Sequence, residues 1–449
     1  MKGDRKPGGR SPRLPRELID RLSKPVARFI HFGVAAGAVL LLFTVVALVL
    51  ANSPWSEDFL GFWETEIGIT AGSLELTRSL RGWINDGLMT LFFFVIALEL
   101  KRELVIGEMR NPRIAALSVF AAIGGMVTPA LFYLAIQKGQ PAQSGWGTVM
   151  ATDTAFVMGC LALLGPRIPQ SLRIFMLSLA IVDDVGAILV VAIGYGHDIN
   201  WLAVGLAVSG LFVVCAMGWL GIRHIGLFSL AGVFVWITVD ASGMHASVAG
   251  VVLGLMTPTR RWVSDKRLHA ILNRVVDYPL GDHWSGDTED RKALRMAEAA
   301  ARETLSPVER LEMMLLPWVS FVIMPLFALA NAGVPIAFSG GGSSVTVAVF
   351  AGFALGKPIG VFVFSWLALR TGVALRPPDL SLPLIAAGGL LAGIGFTMAL
   401  FIANLAFSPD LLNAAKMGIL TASIFSALAG TGVLALWSFR RTRAGGSGG

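Results

Sequence analysis

Charge is scarce in this sequence: 14% of its 449 residues are Asp, Glu, Lys or Arg, against 55% hydrophobic, and the mean hydropathy is +0.71. That balance excludes a soluble globular domain and reads as a polytopic membrane protein. Cysteine is scarcer still. Cys160 and Cys215 fall far apart inside apolar segments and read as small core hydrophobes, which excludes a disulfide framework and thiol chemistry. His31, His197, His224, His245, His269 and His283 stand singly, so no His and Cys set is offered to a transition metal. Nucleic acid is excluded as a partner even at a net charge of +7, because the Lys and Arg sit between apolar runs and at the termini, where membrane topology accounts for them. No cofactor is implied. The glycines at 388, 389, 393 and 395 lack the strand and the Lys of a phosphate loop and read as helix breaking or close packing.

What the chain has in quantity is apolar runs, and they predict an all-α fold of about twelve transmembrane helices over residues 29–437. They fall at 29–52, 83–100, 114–136, 145–164, 174–195, 201–222, 226–239, 243–256, from Ser306 to 334, 346–369, 381–407 and 415–437. Residues 1–28 hold nine Lys or Arg and form a basic arm, placed in the cytoplasm by the positive-inside rule. Residues 257–312 form one long polar cytoplasmic connection, with an Ala-rich helical piece near Arg291 to Thr304. Ser306-Pro307-Val308-Glu309 then has the form of a capping box with Pro at the first helical position. Residues 438–449 read as a flexible cytoplasmic tail. Ile67, Ile69, Leu74 and Leu76 alternate around Ala71-Gly72, the pattern of a β-hairpin on the outer face, and the region 61–82 is the expected contact of a homodimer. Spans three to five match spans ten to twelve in kind: a helix, a broken helix, a helix. An odd number of spans separates them, so they form two inverted three-helix repeats whose broken helices cross at the bilayer midplane.

Asp183 and Asp184 lie in the middle of the fifth run. On insertion scales each central Asp costs about 2.5–3.5 kcal/mol, while each Leu, Ile, Phe or Val returns about 0.3–0.6. The twelve such residues between Ile174 and Tyr195 barely cancel that penalty, so the carboxylates point to an ion or proton pathway. Lys357 falls at the centre of the tenth run, and Thr152-Asp153-Thr154 lies in the middle third of the fourth. Depth thus brings three carboxylates and one ammonium together. A buried structural ion pair explains any one Asp with Lys357, but one Lys cannot neutralise three Asp. Adjacent helix positions also differ by about 100 degrees, so Asp183 and Asp184 face different partners. The same argument disfavours an intramembrane aspartyl protease, whose two carboxylates must converge. Carboxylate and threonine oxygens are hard ligands suited to Na+ or Li+. His245, at the start of a short run, reads either as a pH-sensitive residue or as a helix-end polar group.

Six stretches of the chain resemble the NhaA-type Na+/H+ antiporters. They are Ala151-Thr152-Asp153-Thr154-Ala155-Phe156, Val182-Asp183-Asp184, Gly356-Lys357-Pro358, Gly243-Met244-His245-Ala246, the run from Pro325 to Gly333, and Gly395-Phe396-Thr397-Met398. The resemblance covers all twelve spans, and inverted repeats are themselves a property of that family. It implies a secondary transporter, not an enzyme, in the bacterial cytoplasmic membrane with both termini inside. Na+ or Li+ would leave in exchange for protons, electrogenically and under pH control, by alternating access. By resemblance Asp183 and Asp184 hold the cation and the protons, with Lys357 as charged partner. Thr152 and Asp153 belong to the broken-helix crossing, Asp153 offsetting the half-helix dipoles. A pH-sensing cluster maps onto Glu99, Arg102, Glu103 and Glu312.

Overall fold

A computed structural model describes residues 29–71, 74–107, 111–195, 199–222, 224–259, 265–276, 289–335 and 343–445; the basic arm of 1–28 lies outside them. Helix follows helix, with one hairpin. Helix α1 (Phe29–Ala51) breaks at Ser53-Pro54, and the short α2 (Ser56–Trp63) leaves it at 120°. Strands β1 (Glu66–Ala71) and β2 (Leu74–Ser79) then pair antiparallel, Glu66 opposite Ser79 through Ala71 opposite Leu74, as the alternation predicts. Ser79 Oγ caps the next helix, α3 (Leu80–Val105), accepting from Gly82 N at 3.1 Å.

Helix α4 (Pro112–Ile136) starts on an Asn111 cap with Pro at its first position, where a missing N–H costs nothing. The fourth run is broken: a 3-10 segment (Pro141–Val149), an extended stretch, then α5 (Thr154–Leu163) at 45° to it. After α6 (Gln170–Gly194) and α7 (Trp201–Trp219) come the short α8 (Ile225–Ala241) and α9 (Ser247–Met256). They are two helices, not one. Ten residues of α9 rise only about 15 Å, half the hydrocarbon thickness.

The long connection carries α10 (Asp265–Val276) and α11 (Glu289–Glu303), packed on each other, so the Ala-rich piece is helical as expected. Ser306 and Glu309 close the capping box of α12 (Pro307–Asn331) in both directions. Helix α13 (Ser344–Arg370) follows, and the eleventh run is broken into α14 (Leu382–Ala392) and α15 (Phe396–Ala406), 48° apart. Both α12 and α13 widen into a π turn, at Val319–Ile323 and Gly352–Gly356, just before Pro325 and Pro358. A proline has no N–H to close an ordinary turn there. Helix α16 (Pro409–Gly445) runs further than the sequence suggests: residues 438–445 of the expected flexible tail are helical. Among the described residues seven helices are long and apolar enough to cross a membrane, ten if each bent pair is one span; α8 and α9 complete the twelve expected positions.

Glycine contacts hold the two triplets together. A Cβ on Gly360 would fall 2.0 Å from the carbonyl oxygen of Gly124, and one on Gly356 would fall 2.7 Å from Pro129 Cα. Numbers rise along α4 as they fall along α13, so the helices cross antiparallel at backbone contact distance, which only glycine permits. The 3-10 segment likewise meets the far end of α15, Gly145 against Phe407. The triplet of α4, α5 and α6 therefore opposes that of α13, α14–α15 and α16, as inverted repeats require. One cysteine departs from its reading. Cys215 lies on the exposed side of α7, beside Phe212 and Trp219, rather than in the core.

Candidate functional site

The two breaks touch. Asp153 N donates to Ile394 O at 2.7 Å, and Thr152 Oγ1 donates toward Ala392 O at 3.1 Å, so the extended stretches of the two broken spans are hydrogen-bonded across the crossing. Four half-helix ends meet here, and each needs a partner for its unpaired backbone groups. Asp153 serves two of them. One oxygen accepts from Phe156 N at 3.2 Å and caps α5; the other accepts from Thr397 N at 3.0 Å and from Thr397 Oγ1, capping α15. A single carboxylate thus meets two positive helix ends. At a negative end Lys357 Nζ donates to Met150 O, just past the 3-10 segment. Thr152 supplies the hydrogen bond at the end of α14.

Lys357 reaches this point because the glycine crossing brings α13 against α4 below it. Its ammonium donates to Asp183 Oδ2 at 2.7 Å and lies 5.9 Å from the centroid of the Phe353 ring. Both side chains of the pair have 0% exposure. Thr152 Oγ1 sits 2.5 Å from the same Asp183 oxygen. Asp184, one residue on and turned away, is met by Thr154 Oγ1 at 3.4 Å. Lys357 therefore faces Asp183, and Asp184 turns to Thr154. Asp183 Oδ1 and Asp184 Oδ1 are buried and accept no hydrogen bond from the described residues.

The three carboxylates turn to different partners. Asp153 is turned into the helix crossing, Asp183 to Lys357, and Asp184 to Thr154. Among the described residues no group of three His, Cys, Asp or Glu is placed to hold a metal ion. Asp184 is nonetheless within electrostatic reach of Asp183, Asp153, Lys357 and Glu99. Depth fixes a layer, not a direction. The break before α5 leaves Asp153 at the helix ends, where the backbone demands it.

Glu99, Arg102, Glu103 and Glu312 do assemble. Arg102 bonds Glu312 at 2.5 Å and Glu103 at 3.3 Å, and Glu99, one turn back on α3, feels all three charges. His245 belongs elsewhere, at the hairpin end of α3. Its Nε2 lies 3.5 Å from Asp86, its Nδ1 2.7 Å from Ser247 Oγ, and its ring stands edge-on to Phe401. Sequence reasoning did not single out Arg78, which links β2 to both Asp86 and Asp240. Nor did it find the amide cluster in which Asn331 exchanges hydrogen bonds with Asn85 and accepts from Asn404 at 3.1 Å. Asn331 and Thr397 lie within the quoted motifs, and that was their only signal.

Paired, broken helices whose ends hold a buried acid–base pair define an integral membrane protein of the inverted-repeat transporter class. Residues 27–434 match the family described as Na+/H+ antiporter 1. The chain is 61% identical over 421 residues to the Na(+)/H(+) antiporter NhaA 2 of Acidiphilium cryptum, covering 94% of each. It is 58% identical over 424 residues to the NhaA antiporter of Rhizobium meliloti, covering 94% of this chain and 97% of that one. With the NhaA of Rhodopirellula baltica the identity is 48% over 425 residues, 95% and 96% of the two chains. The chain belongs to the NhaA-type Na+/H+ antiporter family.

Proposed function

We propose that this protein exports Na+ or Li+ across the bacterial cytoplasmic membrane in exchange for protons, at a site formed by Asp183 and Asp184. The observation that carries the reading is the fully buried Asp183–Lys357 pair, 2.7 Å apart, with an unsatisfied oxygen on Asp183 and another on Asp184 beside it. A buried carboxylate oxygen without a donor is costly unless a cation or a proton takes its place. Na+ and protons compete for those oxygens, and the protein alternates access between the two sides. Thr152 supplies a further hard oxygen, and Asp153 holds the crossing in shape. With two protons entering for each Na+ that leaves, one net charge moves inward per cycle, worth about 2.3 kcal/mol per 100 mV. Glu99, Arg102, Glu103 and Glu312 form the pH-responsive cluster on the cytoplasmic side, and His245 adds a titratable group at the opposite end. The termini are cytoplasmic, and the hairpin pairs two copies into a dimer.

Proteoliposomes with an imposed pH gradient test this. Added Na+ or Li+ collapses the gradient, and Asp183→Asn or Asp184→Asn abolishes the effect. Exchange that persists in Asp184→Asn moves the ligand role to other residues. Turnover that ignores membrane potential overturns the electrogenic stoichiometry.

A further inference from the structure

Helix α6 holds the broken fourth span in two places. One is the site, where Asp183 meets Lys357 and Thr152. The other is Tyr195, the residue after α6, whose N–H bonds Val191 O at 3.2 Å and so continues the last turn. Twelve residues separate it from Asp183, about 18 Å along the helix. The Tyr195 hydroxyl accepts from Gly147 N at 3.2 Å and donates to Ser144 O at 2.9 Å. Those two backbone groups are the pair that one i→i+3 turn of a 3-10 helix joins, so the phenol bridges a turn of the 3-10 segment from outside. Glycine admits it. A Cβ on Gly147 would fall 2.7 Å from the Tyr195 oxygen and 3.0 Å from Val190 Cγ1, which is also on α6.

A closed circuit of hydrogen bonds links the two attachments. Gly147 O accepts from Met150 N at 3.2 Å, Met150 O accepts from Lys357 Nζ, and Lys357 donates to Asp183 Oδ2 at 2.7 Å. Asp183 returns the circuit to α6. Thr152, two residues past Met150, places its hydroxyl 2.5 Å from the same Asp183 oxygen. The stretch between Met150 and Asp153 is not helical, so its height against α6 is set by what holds its two ends. At Asp153 that is the α14–α15 break, through Ile394 O; at Gly147 it is Tyr195. A 3-10 segment has poorer internal hydrogen-bond geometry than an α-helix, so an outside tie of this kind matters to its position.

We propose, on the reading of Asp183 and Asp184 as the exchange site, that Tyr195 is a positioning residue for cation exchange. Its hydroxyl fixes the 3-10 segment on α6 and thereby holds Met150 O against Lys357 and the Thr152 hydroxyl against Asp183. Without the phenolic oxygen, Ser144 O and Gly147 N still have each other as partners, so the segment keeps its backbone hydrogen bonds but loses its tie to α6. The fold survives that loss while the site loosens.

Proteoliposomes of the full-length protein with Na+ as the varied substrate test this. Tyr195→Phe should raise the apparent KM for Na+ about three- to tenfold, as loss of a hydrogen bond or two does, and lower the maximal rate by less than about twofold. Gly147→Ala pushes the phenol away from the other side and should raise KM in the same direction. In the double variant the two increases should fall well short of multiplying, because both remove one contact. A KM within about twofold of the wild type in both single variants overturns the proposal, and so do increases that multiply. A fall in maximal rate with KM unmoved overturns it as well, since that marks a general structural defect. Should Tyr195→Phe fail to fold, Gly147→Ala keeps the test open. Asp183→Asn and Asp184→Asn, measured alongside, separate this role from the site itself. Exchange that persists in both refutes the site; exchange lost in both, with Tyr195→Phe silent, refutes the positioning role alone.

Discussion

The Asp183–Lys357 pair gives a coupling energy that can be worked out in advance. Neither side chain is exposed to water, and the hydrogen bond is 2.7 Å long, so solvent screening is minimal. Two unit charges about 4 Å apart in an effective dielectric of about 20 attract by about 4 kcal/mol. Removing one partner strands the other, at a cost of about 3–5 kcal/mol. Lys357→Met should therefore destabilise the fold by that amount. Asp183→Asn should cost somewhat less, because Lys357 keeps Met150 O and the Phe353 ring. The double variant removes both charges of the pair and should be less damaged than Lys357→Met alone. The interaction energy from the cycle should be about 3 kcal/mol, read from reversible unfolding in a fixed detergent mixture. If the two single costs add to within about 0.5 kcal/mol, the residues are not energetically paired and the geometry has been misread.

Three further outcomes follow from the same contacts. Gly360→Ala drives a methyl to 2.0 Å from the Gly124 carbonyl, so α4 and α13 must part by more than about 1 Å, at about 1–3 kcal/mol; Gly432→Ala, with open space around it, serves as the neutral control. Exchange rate should fall with the first and not with the second. Asp153→Asn has one acceptor oxygen for two helix ends, so either Phe156 N or the Thr397 donors lose their cap, at about 2 kcal/mol of stability in the same unfolding assay. Arg78→Gln leaves Asp86 and Asp240 without their shared cation; with both about a quarter exposed, the loss should be only about 1 kcal/mol, and Asp240→Asn added to it should recover most of that.

Hydropathy and charge made the helical architecture legible, since each span announces itself as an apolar run and most of the Lys and Arg fall between the runs. The hairpin and the Ser306 capping box were also readable, because a period of two and a four-residue box are local codes. Depth along a helix was readable too, which is why Asp183, Asp184, Asp153 and Lys357 stood out together. Direction was not. Whether Asp153 aims at the cation layer or at Thr397 depends on the angle between two half-helices, and that angle comes from packing between residues some 240 positions apart. The Arg78 link and the Asn85–Asn331–Asn404 cluster were invisible for the same reason. Each joins polar residues that are unremarkable in their own segments and meaningful only once three elements meet. The run onward of α16 to Gly445 was missed because the apolar run ends at Trp437 and the Gly and Ser of 445–449 argue against helix, while α16 had already nucleated and arginine continues a helix readily.

The hydrogen-bond inventory also separates the three buried carboxylates by what they can do. Asp153 has both oxygens committed, to Phe156 on one side and to Thr397 on the other. Protonating either oxygen, or drawing a cation to it, would break one of the two helix caps, so it is suited to holding the crossing rather than to exchanging cargo. Asp183 is half committed: Lys357 donates to Oδ2, with the Thr152 hydroxyl beside it, while Oδ1 is buried and empty-handed. Asp184 is committed least, with only a long contact from Thr154. A group that exchanges ligands must be stable enough in the absence of cargo to keep its place, yet unsatisfied enough to gain when cargo arrives. By that criterion the order of fitness for exchange is Asp184, then Asp183, then Asp153, and Lys357 sits where it can support the middle member without satisfying it.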